Sequence, residues 1–317
     1  MNRREFLTRT AAICSVGWFS SYLPVFAQEK ESPLKITRVT IPLPIERELT
    51  ALHISDTHLS YADERDTDHL RDLAEKRLRS FGGQTLEWLK ASILYAQEKE
   101  ELLLHTGDMI DFVTAKNLDL AREAFARGDC FVSAGNHEFC QWVGDGGKED
   151  EEYKMVSFDR VQAFFPNDLR FCSRVVGGIN FVAFDDVYYY VADDLIDRFK
   201  AEAAKGLPIV AMCHCPLYTP ELFEYSVEKD HEKVAYVIGA PDEDMVNYPE
   251  HRFRQQQTNA VTRAFLDYLK NEPQLKAILC GHLHFPWQGQ FSETATQYVV
   301  GGNFLGEANE IRFVPAG

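Results

Sequence analysis

An α/β domain with buried sheets and outer helices is predicted for this 317-residue chain by three features of its sequence. Short apolar strand-like runs alternate with amphipathic segments of helix length from residue 34 onward. Hydrophobic residues make up 45% and charged residues 26%, which supplies enough apolar side chain for a large core and excludes a disordered chain. With 19 Gly and 13 Pro, and neither an internal repeat nor a low-complexity tract, collagen-like and solenoid architectures are excluded as well.

Taken in order, Leu34 to Leu43 reads as an opening strand, which Pro42 and Pro44 turn into a second, Leu49 to Ser55. Leu86, Leu89 and Ile93 recur at helical spacing over Thr85 to Glu98. Leu102 to Leu104 is a short buried strand, Leu118 to Ala126 a helix and Phe131 to Ala134 the next strand. Val156 to Phe165 is helical and stops at Pro166. Phe171 to Val176 and Ile179 to Phe184 flank Gly177-Gly178 as a hairpin. Asp194 to Lys205 and Gln257 to Lys270 read as helices, and Leu207 to Cys213 and Leu275 to Cys280 as strands. Trp287 to Phe291 and Gln297 to Val300 close the chain as further strands. Three stretches break the alternation and are expected as loops or insertions: 61–83, 139–152 and 216–249.

Residues 1–27 are set apart from this domain, which is expected over 28–317. A cationic head, Met1 to Arg9, precedes an apolar run of 13 residues from Ala11 to Leu23, too short for the ~20 that a spanning helix needs. Pro24 to Ala27 then offers a helix breaker and small residues, so cleavage is expected after Ala27. The pair Arg3-Arg4 followed by Phe6-Leu7 resembles a twin-arginine export signal, with Asn2 and Thr8 departing from its usual pattern. An ordinary secretory signal and an uncleaved anchor are the alternatives. The resemblance implies the twin-arginine export machinery as a partner and a periplasmic or otherwise exported location.

The chain carries 33 basic and 49 acidic groups, a formal net charge of −16. Residues 1–27 hold three Arg and one Glu, so without them 30 and 48 remain and the charge becomes −18. Nucleic-acid binders need cationic stripes, so no nucleic-acid partner is expected. Six cysteines stay after Cys14 leaves with the signal. An even count permits disulfides in an exported protein, but Cys213, Cys215 and Cys280 sit in apolar strand-like runs and read as small buried thiols.

Chemistry gathers where the strands end. Five strand-like runs finish in polar residues of metal-ligand type: Asp56-Thr57-His58, Gly107-Asp108 with Asp111, Gly135-Asn136-His137-Glu138, His214, and Gly281-His282-Leu283-His284. In α/β sheets the carboxyl ends of neighbouring strands border one crevice. Glycines before Asp108, Asn136 and His282 permit tight departures from the strands. Asp56 and His58 lie two apart, which places both on one face of an extended segment, and His282 and His284 repeat the device. Two carboxylates, one amide oxygen and four imidazoles suit two metal ions, with Zn, Mn or Fe favoured over Ca. Two Asp against two divalent ions leave roughly two positive charges, a seat for hydroxide and a phosphoryl group.

These five motifs, in this order and spanning residues 56 to 284, resemble those of the calcineurin-like metallophosphoesterases. The resemblance implies a four-layer α/β/β/α sandwich of two mixed sheets flanked by helices. It implies that Asp56, His58, Asp108 and His284 hold one metal, and that Asn136, His214 and His282 hold the other with Asp108 bridging. His137 is then the candidate general acid, oriented by Asp111. A small phosphomonoester or phosphodiester would be hydrolysed by in-line attack of a metal-bridging hydroxide. Another ester substrate, or a metal-dependent binding role without catalysis, is the alternative function.

Departures from subfamily patterns narrow the choice. Phe112 stands where the family's protein phosphatases have Arg, and Asp111 where purple acid phosphatases have Tyr. Only 33 residues follow His284, whereas the large nucleotidases add a second domain there. His53 and His105, each three residues before a ligand Asp, are expected side by side as supporting donors or satisfied core histidines. Trp142, Tyr218, Phe223, Tyr225, Tyr236 and Tyr248 read either as a minor core or as the walls of an apolar slot. Asn303, just after Gly301-Gly302, can approach the site from the final expected strand.

Overall fold

Two mixed sheets contain every strand expected from the sequence and add one more. The computed structural model describes residues 33–99, 101–143 and 149–316; the expected export signal lies outside these residues. The first sheet is built from β1 (Lys35–Leu43), β2 (Leu49–Ile54), β3 (Leu102–Thr106), β4 (Cys130–Ser133) and β11 (Glu307–Pro315), in the order β1-β11-β2-β3-β4. The second contains β5 (Phe171–Val176), β6 (Ile179–Phe184), β7 (Ile209–Met212), β8 (Leu275–Cys280), β9 (Trp287–Gln290) and β10 (Thr296–Val299), in the order β5-β6-β7-β8-β10-β9. Strands β2, β3 and β4 run parallel, as do β6, β7, β8 and β10, so one end of each sheet gathers several carboxyl termini.

Side-chain alternation turns these sheets into four layers. Leu102, Leu104 and Phe131 of the first sheet share a buried cluster with Phe181, Val210 and Leu279 of the second, and the rings of Phe181 and Phe313 meet edge to face at 5.6 Å. Leu103 and Val132 point the other way, under α2 (Thr85–Glu98) and α3 (Ala115–Phe125). Val182 and Ala211 likewise face α5 (Leu195–Ala203) and α8 (Ala260–Asn271). The expected sandwich of two mixed sheets flanked by helices is therefore the observed one.

The structure adds helical detail to three expectations. The stretch 61–83 is mostly helix, α1 (Asp68–Ser80), capped by the Thr67 hydroxyl on the Leu70 amide. The stretch 216–249 contains α6 (Pro220–Lys229), with Thr219 as cap and Pro220 in the first turn, and α7 (Glu250–Gln256) follows it. Helix α4 (Glu151–Gln162) begins five residues before the expected start, at the Asp150 cap. Apolar periodicity is diluted by charge in each of them, while the caps mark the starts.

Strand β11 is the further one, and it lies inside the first sheet between β1 and β2. Its polar residues hide it in the sequence: Glu310 is buried because Arg38, Tyr95 and Lys99 all bond to its carboxylate. The residues after His284 thus complete the sheets and form no additional domain among the described residues. No helix among the described residues is long and apolar enough to cross a membrane.

Candidate metal centre

Every one of the nine residues expected at the site lies at the strand ends where the two sheets meet. The Asp56, His58 and His284 donor atoms form one tight group and those of Asp108, His214 and His282 another, all within 4.8 Å of one another in each group. Asn136 joins the second group, its Oδ1 being 3.1 Å from His214 Nε2. The backbone there corrects the sequence argument. Asp56, His58, Asp108, His282 and His284 have φ of 55, 49, 56, 70 and 58°, in the left-handed region, so these pairs converge by strained turns and not along an extended face.

Glycine permits the close approach of those turns. At Gly107, with φ of +92°, a Cβ would lie 2.7 Å from the Gly135 backbone and from His214 Nδ1. The carboxylate of buried Glu138 then ties two loops together, accepting the amides of Gly135 at 2.6 Å, Asp108 at 2.8 Å and Ile110 at 3.2 Å.

The donors form a set that calls for positive charge. His214 Nδ1 donates to the Thr106 carbonyl at 2.7 Å, which leaves Nε2 as a lone pair facing Asp108 Oδ2 at 3.2 Å. His282 Nε2 bonds to the Tyr189 hydroxyl at 2.9 Å, so its Nδ1 faces the same point, 3.1 Å from His214 Nε2. His58 Nε2 and His284 Nε2 also face each other, at 3.1 Å. Without a cation, an imidazole must supply the missing charge: burial opposes this at His214, but the neighbouring Asp108 outweighs it and raises the ring to about 10. Asp108 is itself held well below the usual carboxylate range, because His214 and His137 overcome its burial. This mixed set of carboxylate, amide and imidazole donors fits divalent metal ions.

Beside the donors, His137 Nδ1 lies 3.0 Å from Asp111 Oδ1 and 2.8 Å from the Asp111 carbonyl, which assigns the proton to Nδ1. Burial favours the neutral ring, but Asp108 and Asp111 outweigh it and raise His137 to about 9. Asp108, Asn136, His137, His282 and His284 line a cavity of about 300 Å³. Ser226, Lys229 and Tyr236, from the stretch expected as a loop or insertion, also line it. Phe112 is fully buried.

Supporting residues separate into those anticipated and those missed. His53 and His105 are buried on neighbouring strands; His53 bonds to Thr106 Oγ1 at 2.9 Å and His105 to Thr57 Oγ1 at 3.0 Å. Burial drives both rings down to about 3, so they are neutral core histidines. Asn303 reaches the site from behind: its Oδ1 accepts from the Thr57 hydroxyl, and its backbone N–H donates to the Ser55 carbonyl at 2.8 Å. Tyr236 belongs to the cavity wall, whereas Tyr248 is buried in the core, and Trp142 is exposed against His69. Cys213, Cys215 and Cys280 are buried, and the six cysteines of the described residues are all free thiols. The sequence reading misses Tyr189, Arg77 and Phe81. Only the Thr67-Asp68 cap and the spacing of Leu70, Ala74 and Leu78 signalled the helix that carries Arg77.

No curated protein matches the chain. Among solved structures, a dimetal phosphatase from Danio rerio is similar at 13% identity and a TM-score of 0.47, over 82% of this chain and 89% of that one. Phosphopantetheinyl hydrolase from Mycobacterium tuberculosis is similar at 16% identity and a TM-score of 0.42, over 82% and 92%. For 5′-nucleotidase from Candida albicans the values are 15% and 0.40, over 83% of this chain but only 47% of that one. The sequence profile of the calcineurin-like phosphoesterases matches residues 49–286, most of the chain and all five motifs. The protein belongs to the calcineurin-like phosphoesterase family.

Proposed function

We propose that the protein is an exported, dinuclear-metal phosphoesterase acting on a small phosphomonoester or phosphodiester. The observation that carries this is the convergence of Asp56, His58, Asp108, Asn136, His214, His282 and His284 beside an oriented His137–Asp111 pair. Asp56, His58 and His284 would hold one ion, Asn136, His214 and His282 the other, and Asp108 both. Bound there, two ions supply Lewis-acid charge to the phosphoryl oxygens and acidify a water.

The protein's own residues do the rest. His137 Nδ1–H is committed to Asp111, so Nε2 is the atom available to give a proton or hydrogen bond to the leaving oxygen. Tyr189 and the Thr106 carbonyl fix the ring orientations of His282 and His214. The cavity of about 300 Å³ has room for a small ester. Net charge of −16 likewise argues against a nucleic-acid substrate. Residues 1–27 support export through the twin-arginine machinery, with the domain released after Ala27.

Turnover of p-nitrophenyl phosphate and bis-p-nitrophenyl phosphate by the protein lacking residues 1–27, with elemental analysis, tests the reading. About two metals per chain and hydrolysis of either ester are expected, and the ratio separates monoesterase from diesterase. Absence of metal and activity after reconstitution with Mn, Zn and Fe overturns it. Fractionation of cells expressing the full chain, with Arg3→Lys and Arg4→Lys together as the control, tests export.

A further inference from the structure

We propose that Arg77 is a positioning residue for His137, acting through Asp111, and that helix α1 serves to deliver it. The inference rests on the phosphoesterase reading of the site. Arg77 Nε donates to Asp111 Oδ2 at 2.7 Å and Nη2 to Oδ1 at 2.8 Å, a two-pronged pair in which the carboxylate is fully buried. Ser60 adds a hydroxyl to Oδ2 at 3.2 Å. A carboxylate rotates readily about its terminal torsion, and a planar guanidinium on both oxygens fixes that plane. The fixed Oδ1 is the atom that His137 Nδ1 meets at 3.0 Å, and His58 Nδ1 lies 3.3 Å from it. Arg77 therefore sets the direction in which His137 presents Nε2.

The same helix end braces the metal side. Phe81 stacks on the His58 imidazole with centroids 4.5 Å apart and planes 10° from parallel. The Arg77 guanidinium lies 4.8 Å from the Phe81 ring centroid, and the Phe81 amide donates to the Arg77 carbonyl. Arg77 is not among the residues that line the cavity, so it reaches the site through the side chains it touches: Asp111, which leads to His137, and Phe81, which leads to His58.

The test compares wild type, Arg77→Ala, Arg77→Lys, His137→Ala and the Arg77→Ala/His137→Ala pair. The substrates are an alkyl and a p-nitrophenyl ester of whichever class the wild type hydrolyses. Arg77→Ala is expected to lower kcat on the alkyl ester by about 10–100-fold, with KM and metal content near wild type. The p-nitrophenyl ester, whose leaving group needs little protonation, loses much less. In the His137→Ala background the same substitution costs less than about twofold, because the group it positions is gone. Arg77→Lys keeps the charge without the fork and falls between.

A second readout needs no turnover. In metal-free protein the His137 Nδ1–H resonance, identified by its loss in His137→Ala, is expected in wild type and lost or broadened in Arg77→Ala. An unchanged resonance in Arg77→Ala, or a full additional loss of kcat in the double variant, overturns the proposal. Should Arg77→Ala fail to fold, Arg77→Lys decides: wild-type kcat on the alkyl ester with an undisturbed resonance is the overturning result. A metal-loaded wild type that turns over neither ester counts against the phosphoesterase reading, and the resonance still decides the role of Arg77.

Discussion

The backbone amide of His282 donates to both carboxylate oxygens of Asp56, at 2.9 and 3.2 Å. One residue follows β8 and the other follows β2, so this bond joins the two sheets at the candidate metal centre. The neighbouring Gly281 makes it possible, since a Cβ there would stand 1.9 Å from Ser55 Oγ and 2.5 Å from Asp56 Oδ2. Gly281→Ala is expected to displace Asp56, losing most of the bound metal and activity and about 1–3 kcal/mol of stability. Elemental analysis with a urea melt checks this, and full metal content in the variant contradicts it.

Separating chemistry from metal binding falls to His137. His137→Ala is expected to lower kcat on a poor leaving group by about 10²–10⁴-fold while metal content stays unchanged. Asp111→Asn should follow it in direction, because an amide cannot satisfy both His137 and the Arg77 fork. Kinetics on an alkyl phosphoester paired with metal analysis measures both effects. Full activity of His137→Ala toward that ester removes the assigned role.

Chelation should destabilise the fold as well as stop turnover. The buried Asp56 and Asp108 carboxylates share the site with lone pairs from His214 and other imidazoles, an arrangement that a cation stabilises. Ion held only by the folded state contributes about 2.7 kcal/mol per site at a hundred times its Kd. Thermal melts with and without chelator, then with Mn, Zn or Fe restored, should show a fall and a recovery in Tm.

Lys154 is buried despite its place on a polar helix. Its ammonium lies 2.8 Å from Asp185 Oδ2 and 4.5 Å from the Tyr190 ring centroid. Lys154→Met keeps the volume but leaves the Asp185 charge without its buried partner, at an expected cost of about 2–4 kcal/mol. Pairing it with Asp185→Asn should recover part of that loss in denaturant unfolding.

Cys130 is half-buried, yet its thiol should be unreactive near neutral pH. Burial first, and then the Asp129 carboxylate, push it up to about 12 despite the opposing Arg174. The thiol form therefore dominates at pH 8, and the alkylation rate should climb about tenfold per pH unit as pH rises toward that value. Mass spectrometry of iodoacetamide-treated folded protein checks the slope. A rate already level at pH 9 contradicts it.

Most of the fold and the residues gathered at the candidate site were legible in the sequence, for a physical reason. Buried strands are short apolar runs, and side chains able to bind metal come from few residue types, so the candidates Asp56, Asp108, His214 and their partners stand out where such runs end. The sequence also placed His137 and Asp111 by their motifs. It did not reveal how the ligands converge. The left-handed turns at Asp56, His58, His282 and His284 are imposed by loops meeting across two sheets. Strand β11 was hidden because Glu310 is neutralised by Arg38 and Lys99, distant in sequence, so its burial leaves no local pattern. Helix α1 was obscured by charge, and Arg77 became a partner of Asp111, 34 residues away, only when the chain folded back on itself. Residue types and local spacing determine which groups are present; long-range packing decides which of them hold one another in place.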